Sequence, residues 1–205
     1  MSNPGTLFTV SAPSGAGKTS LVEALVSRCP QVSVSISHTT REMRPGERDG
    51  TSYHFVTEAA FQEMLSRSAF LEHAQVFNYF YGTSEEWVNE QLANGRDVIL
   101  EIDWQGAEQI KRQRPDSVAV FILPPSRQAL RERLTNRGRD GDEVIQQRMN
   151  QAVEQISHYP EADYIVVNDV FEQALDELES IVDSQRLAVS RQIVRLQALL
   201  TELLS

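Results

Sequence analysis

The segment Ala12-Pro-Ser-Gly-Ala-Gly-Lys-Thr19 carries the plainest chemistry in the chain. It matches the phosphate-loop pattern G-x-x-x-x-G-K-[ST], with Ala12 in the place of the first glycine. Gly15 and Gly17 let the backbone turn its N–H groups inward, close to phosphate oxygens. A helix starting near Thr19 would add its positive dipole end to the same anion. Lys18 is then placed to reach the β- and γ-phosphates, and the Thr19 hydroxyl to ligate Mg²⁺. Alanine at position 12 is compatible with the loop provided its φ is negative.

A second concentration of anion-binding groups lies in Ser37-His-Thr-Thr-Arg-Glu-Met-Arg-Pro-Gly-Glu-Arg. Arg41 and Arg44, three residues apart, can converge on one phosphate with planar, bidentate donors. Tyr53 adds a hydroxyl from the next extended run. From charge count alone the segment reads equally well as a solvated loop. Arg133 and Arg137 stand four apart on one face of an expected helix, and Arg148 falls on the next. Between them Gly138 to Gly141 is polar and glycine-bearing, as a mobile lid requires.

The elements needed to position these groups follow from hydrophobic period. Leu7 to Ser11, Val98 to Ile102, Val118 to Leu123 and Tyr164 to Val167 are short β-branched runs that read as buried strands. Val32 to Ile36, Tyr53 to Val56 and Phe70 to Phe77 also read as extended. Helices are expected over Thr19 to Arg28, after a Thr57 cap to about Arg67, and from a Ser84 cap to Asn94 with Gly95 following. Others are expected over Ser126 to Asn136, Asp142 to His158 and most of the remainder. The alternation predicts an α/β fold with a mostly parallel central sheet, and the shorter runs within Ser37 to Thr83 a separate small mixed sheet. Val189, Ile193, Leu196, Leu200 and Leu203 form a stripe of about two heptads, which either packs on the same chain or mediates self-association.

The chain has 205 residues, a net charge of −10, 40% hydrophobic residues and one cysteine, Cys29. The acidic balance argues against nucleic-acid and anionic-membrane partners, while leaving room for small anions at the arginine clusters. No apolar run reaches membrane-span length, no secretory signal is visible at the N-terminus, and a lone thiol fits a reducing cytoplasm.

The segment from Thr39 to Phe55 resembles the T-T-R-x-x-R-x-G-E-x-x-G-x-x-Y-x-F signature of guanylate kinases, with Met43 where proline is usual. The resemblance continues through Phe70-Leu-Glu-His-Ala74, Tyr79-Phe-Tyr-Gly-Thr83, Ile102-Asp-Trp-Gln-Gly106, Ile122-Leu-Pro-Pro-Ser126, Arg133-Leu-Thr-Asn-Arg-Gly138 and Val166-Val-Asn-Asp169, spanning Leu7 to about Arg186. It implies a three-layer P-loop fold with a small mixed GMP-binding region and a helical lid. The domain would cover residues 5–186, with its core in 5–36, 95–125 and 160–186, a GMP-binding region at 37–84 and a lid at 126–158. Residues 187–205 would form a C-terminal amphipathic helix.

The implied activity is ATP-dependent phosphorylation of GMP, extending to dGMP, with Mg²⁺ as cofactor, in purine nucleotide metabolism. Ser37, Arg41, Arg44, Tyr53, Tyr81 and Gly82 would hold the GMP phosphate side, while Glu72, Thr83 and Asp103 would read guanine. Ala12, Pro13, Ser14, Gly15, Ala16, Gly17, Lys18 and Thr19 would bind ATP, with Asn168 near adenine. Lys18, Arg41, Arg133, Arg137 and Arg148 would act on the transferring group. Glu101 stands where the family usually has aspartate and would hold the metal through water, beside Thr19. Two rival readings are a catalytically silent guanylate-kinase-like binding module and a related sugar-phosphate kinase.

Overall fold

The computed structural model describes residues 4–76, 78–137 and 142–205. The central strand β1 (Leu7–Ser11) is buried along its whole length. It is followed by α1 (Lys18–Arg28) and then β2 (Val32–Val34), shorter than the extended run expected there. A small excursion holds β3 (His38–Thr39), β4 (His54–Phe55), α2 (Glu58–Ser66), β5 (Phe70–Val76) and β6 (Tyr79–Ser84). The chain returns through α3 (Glu85–Ala93), β7 (Asp97–Glu101), α4 (Trp104–Gln113) and β8 (Val118–Leu123). It continues with α5 (Arg127–Arg137), α6 (Asp142–Ser157), a short 3₁₀ turn at Tyr159–Glu161 and β9 (Tyr164–Val167). The chain ends with α7 (Phe171–Arg186), α8 (Val189–Arg195) and α9 (Gln197–Leu203).

Five strands form a sheet in the order β2-β7-β1-β8-β9, each neighbouring pair parallel. The two-residue period of the strands separates its faces. Phe8, Val10, Ile99, Val120 and Ile122 pack against Leu21, Val22 and Leu25 of α1 and Leu175, Leu178 and Val182 of α7. Leu7, Val98 and Leu100 pack on the other side with Val88 of α3 and Ile110 of α4. Three layers result, as the strand–helix alternation requires. A third cluster, Leu130, Leu134, Ile145, Met149 and Ala152, joins α5 to α6.

The second sheet is mixed, in the order β4-β3-β6-β5. β3 runs parallel to β4 and antiparallel to β6, and β5 pairs with β6 with a register shift between Phe70 and Glu72. Thr57 and Ser84 cap α2 and α3 as expected, through Ala60 N and Trp87 N. Phe77 and the Gly138 to Gly141 connection lie outside the described residues.

One sequence expectation needs correction. The C-terminal stripe is not one continuous helix: α8 and α9 are separate seven-residue helices joined at Leu196. Along the stripe Val189, Ile193 and Leu203 are exposed, while Leu196 and Leu200 are half-buried.

Candidate active site

The loop leaving β1 turns through Gly15 (φ 93°) and Gly17 (φ 91°), left-handed conformations that favour glycine. Ala12 has no positive φ, so its methyl is accommodated without backbone strain. Asn168 closes the loop from β9's end, its Nδ2 donating to the Ala16 carbonyl at 2.7 Å. Arg133 of α5 donates to the carbonyls of Ala16 (3.4 Å) and Asn168 (2.8 Å). Gly15, Gly17, Arg133 and Asn168 thus line one groove with Phe171.

Lys18 extends under the loop and donates to the Ile102 carbonyl at 3.1 Å. Desolvation lowers its pKa, and the negative charges of Glu101 and Asp103 oppose that shift. Burial thus disfavours the charged form of the lysine, and the two neighbouring carboxylates favour it. Thr19 Oγ1 donates to Glu101 Oε2 at 2.9 Å. A hydroxyl and a carboxylate oxygen at the phosphate loop are hard donors of the kind magnesium accepts alongside phosphates and water, so these residues fit that ion.

Facing the loop across a cleft of about 330 Å³ stand Ser37, Tyr53, Glu72, Tyr81 and Asp103. Glu72 is only 4% exposed, and its Oε1 accepts from Thr83 Oγ1 at 2.6 Å. Burial pushes the Glu72 carboxyl up to about 7, the nearby Asp103 charge pushes the same way, and the Thr83 hydrogen bonds oppose both. Asp103 caps α4 by accepting from Gly106 N at 3.0 Å. Gly82 lies against the Phe70 ring, where an added Cβ would come within 2.9 Å.

Arg41 is nearly buried and its Nη2 contacts Glu47 at 2.7 Å, while its Nη1 donates to the Glu42 carbonyl. Its guanidinium lies 5.4 Å from the Tyr53 ring centre, and the Tyr53 and Tyr81 rings meet edge-on. Burial raises the Tyr53 hydroxyl further above its ordinary value, which keeps it a neutral donor. Arg41, Arg44, Tyr53 and Tyr81 share a cleft with Arg148, Gln151 and Gln155 of α6. The structure therefore gathers Lys18, Glu101, the acceptor-side residues and Arg148 around connected clefts. The Arg137 side chain lies outside what the structure describes.

A model of the guanylate kinase family matches residues 5–185. The chain belongs to the guanylate kinase family. Guanylate kinases from Saccharophagus degradans and Alcanivorax borkumensis are each 58% identical over 205 residues, covering 100% of this chain and 100% and 99% of theirs. One from Legionella pneumophila is 53% identical over 203 residues, 99% of this chain and 97% of its own. The solved guanylate kinase from Anaplasma phagocytophilum superposes with a TM-score of 0.78 at 29% identity, covering 93% of this chain and 90% of that one.

Within this guanylate kinase scaffold three contacts went unread in the sequence. The helix α4, which carries Asp103 and Gly106, was not expected. Its signal was present in the Asp103 cap, with Gly106 at the third helical position receiving it. Glu47 braces the arginine loop, pairing with Arg41 and accepting from Arg44 N at 2.7 Å. Gln155 accepts from Ser14 N at 3.1 Å across 141 residues. No local pattern announces that last contact, although residues 144, 148, 151 and 155 share one helical face.

Proposed function

We propose that the chain transfers the γ-phosphoryl group of ATP to GMP, releasing ADP and GDP. One observation carries this reading: Lys18, Thr19 and Glu101 line the same cleft as Glu72, Tyr81 and Asp103. A donor phosphate on the loop and a guanine on the carboxylates would then bring the acceptor phosphate toward Arg41, Arg44, Tyr53 and Tyr81. Ser37 and Gly82 complete that side, and Thr83 orients Glu72.

Guanine offers two adjacent donors, N1–H and the 2-amino group, which a single carboxylate can accept together. Adenine lacks that pair and would leave buried Glu72 uncompensated. A sugar phosphate would leave Glu72 and Asp103 without a base to read.

The nucleophile is an oxygen of the GMP phosphate, ionised at neutral pH with a second pKa of about 6. No general base is required, and positioning plus charge neutralisation carry the catalysis. The amides of the loop from Ala12 to Gly17 hold the donor phosphates, Lys18 stabilises the charge on the transferring group, and Asn168 lies on the adenine side. Arg133 and Arg148, with Arg137, would close over the phosphates from the lid formed by residues 126–158. Thr19, with Glu101 acting through water, would hold Mg²⁺. When bound, that ion neutralises charge on the phosphate oxygens. Residues 37–84 then serve as the acceptor region, for GMP and by extension dGMP. A soluble purine-salvage role in the cytoplasm fits this chemistry. Among the described residues no helix is long and apolar enough to cross a membrane.

The test is product identification by phosphorus NMR with ATP, Mg²⁺ and GMP. ADP and GDP appearing in equal amounts is the expected result. ADP with inorganic phosphate, or no reaction with bound GMP, would contradict it.

A further inference from the structure

The Glu72 carboxylate and the first turn of α4 meet with no room to spare. An ideal Cβ built on Gly106 would lie 2.8 Å from Glu72 Oε2 and 3.3 Å from two side-chain atoms of Ile102. Gly106 N meanwhile donates to Asp103 Oδ1 at 3.0 Å, fixing the other carboxylate of the pair. The far oxygen, Glu72 Oε1, is anchored by the Thr83 hydroxyl at 2.6 Å. Glu72 is thus held from both ends, by a hydrogen bond on one oxygen and by the absence of a side chain beside the other.

Backbone freedom does not explain this glycine. Gly106 has no positive φ, and it sits inside a regular helix, where alanine is the better residue by intrinsic propensity. What a side chain would disturb is Glu72. The carboxylate end is the flexible partner in that contact, so an added methyl would move it rather than the helix backbone. Glu72 is buried except where it lines the cleft, so a displaced carboxylate would move into the space the base is to occupy.

We infer that Gly106 is a positioning residue for base selectivity: its missing side chain sets where Glu72 presents its carboxylate, while its amide sets Asp103. The inference rests on the proposed reading of Glu72 as the guanine contact. Displacement of one carboxylate by a few tenths of an ångström should cost most where two parallel hydrogen bonds must form at once, as with GMP. It should cost less with IMP, which lacks the 2-amino group and offers only N1–H.

The test is Gly106→Ala, assayed with GMP and IMP beside Glu72→Gln and the double variant Glu72→Asp/Gly106→Ala. In Gly106→Ala we expect the KM for GMP to rise about tenfold and the KM for ATP to stay within twofold. The GMP-over-IMP ratio of kcat/KM should fall at least fivefold. In the Glu72→Asp background, whose carboxylate is withdrawn by one methylene, adding Gly106→Ala should change the KM for GMP less than threefold. A role in helix packing alone would lower the melting temperature without moving the GMP-over-IMP ratio, and would overturn the inference. If Gly106→Ala does not fold, Glu72→Ala/Gly106→Ala should restore folding, and failure to do so would equally overturn it. Should Glu72→Gln itself leave the KM for GMP and the GMP-over-IMP ratio unchanged, the reading of Glu72 falls first and takes the inference with it. An altered Glu72→Gln beside an unaltered Gly106→Ala would remove the inference alone.

Discussion

Thr83 Oγ1 donates to Glu72 Oε1 at 2.6 Å between paired residues of adjacent antiparallel strands, both of them buried. The bond favours the ionised carboxylate against the burial that disfavours it. Thr83→Val keeps the shape and removes the hydroxyl. The KM for GMP should rise about tenfold, the scale of a hydrogen bond to a charged group. The KM for ATP should hold, and equal rises in both would contradict the assignment.

The raised Glu72 pKa makes stability depend on pH with a definite sign. The folded group titrates at about 7 against an ordinary value of 4.5. Between those limits the native state binds more protons than the unfolded one, so this group lowers stability as pH rises from about 4.5 to about 7. Glu72→Gln abolishes that slope and should be more stable than the parent above pH 7, by up to about 3 kcal/mol. Melting temperatures at pH 5 and 8 would measure it. A GMP-binding parent should also lose affinity below pH 7 more steeply than Glu72→Gln does.

Much of this arrangement is legible in sequence, for identifiable reasons. The strands Leu7–Ser11, Val118–Leu123 and Tyr164–Val167 have the bounds their sequences predict, because β-branched runs ended by turns have one good interpretation. The phosphate loop was legible because its glycines, lysine and threonine are local to one turn. By contrast β6 (Tyr79–Ser84) was missed: its aromatic run Tyr-Phe-Tyr lacks alternation, and its strand character comes from pairing with β5 and β3. The Gln155 contact with Ser14 depends on how distant segments pack, which no single window encodes, whereas the Glu47 contacts with Arg41 and Arg44 are local to a loop that has no periodic pattern to reveal them. The pairing of Arg186 of α7 and Arg191 of α8 with Asp97 is likewise a long-range contact, invisible in the local pattern of the C-terminal segment.

That buried carboxylate gives a stability prediction. Asp97 is 1% exposed and contacts Arg186 Nε at 2.8 Å, Arg191 Nη1 at 2.7 Å and the Thr6 amide at 2.8 Å. Asp97→Asn leaves two cations facing a neutral amide and should cost 3–5 kcal/mol, on the order of a broken buried pair. Denaturant titration measures the loss. Because Asp97 is remote from the cleft, kcat/KM of the folded fraction should change less than twofold.

Gln155 competes for a loop amide. Its Oε1 accepts from Ser14 N at 3.1 Å, and one N–H cannot also be given fully to a phosphate oxygen. Gln155→Ala should tighten ADP binding by about fivefold, the worth of a typical net hydrogen bond. Calorimetric titration reads this directly, and weaker ADP binding would contradict it.

Acceptor selectivity tests the central claim most directly. A coupled ADP-release assay with ATP and Mg²⁺ would compare kcat/KM for GMP, AMP, CMP, UMP and ribose 5-phosphate. The account predicts that GMP exceeds every other acceptor by roughly 10⁴-fold, as expected of a buried site built to pair with one base. AMP or ribose 5-phosphate reacting within tenfold of GMP would contradict it.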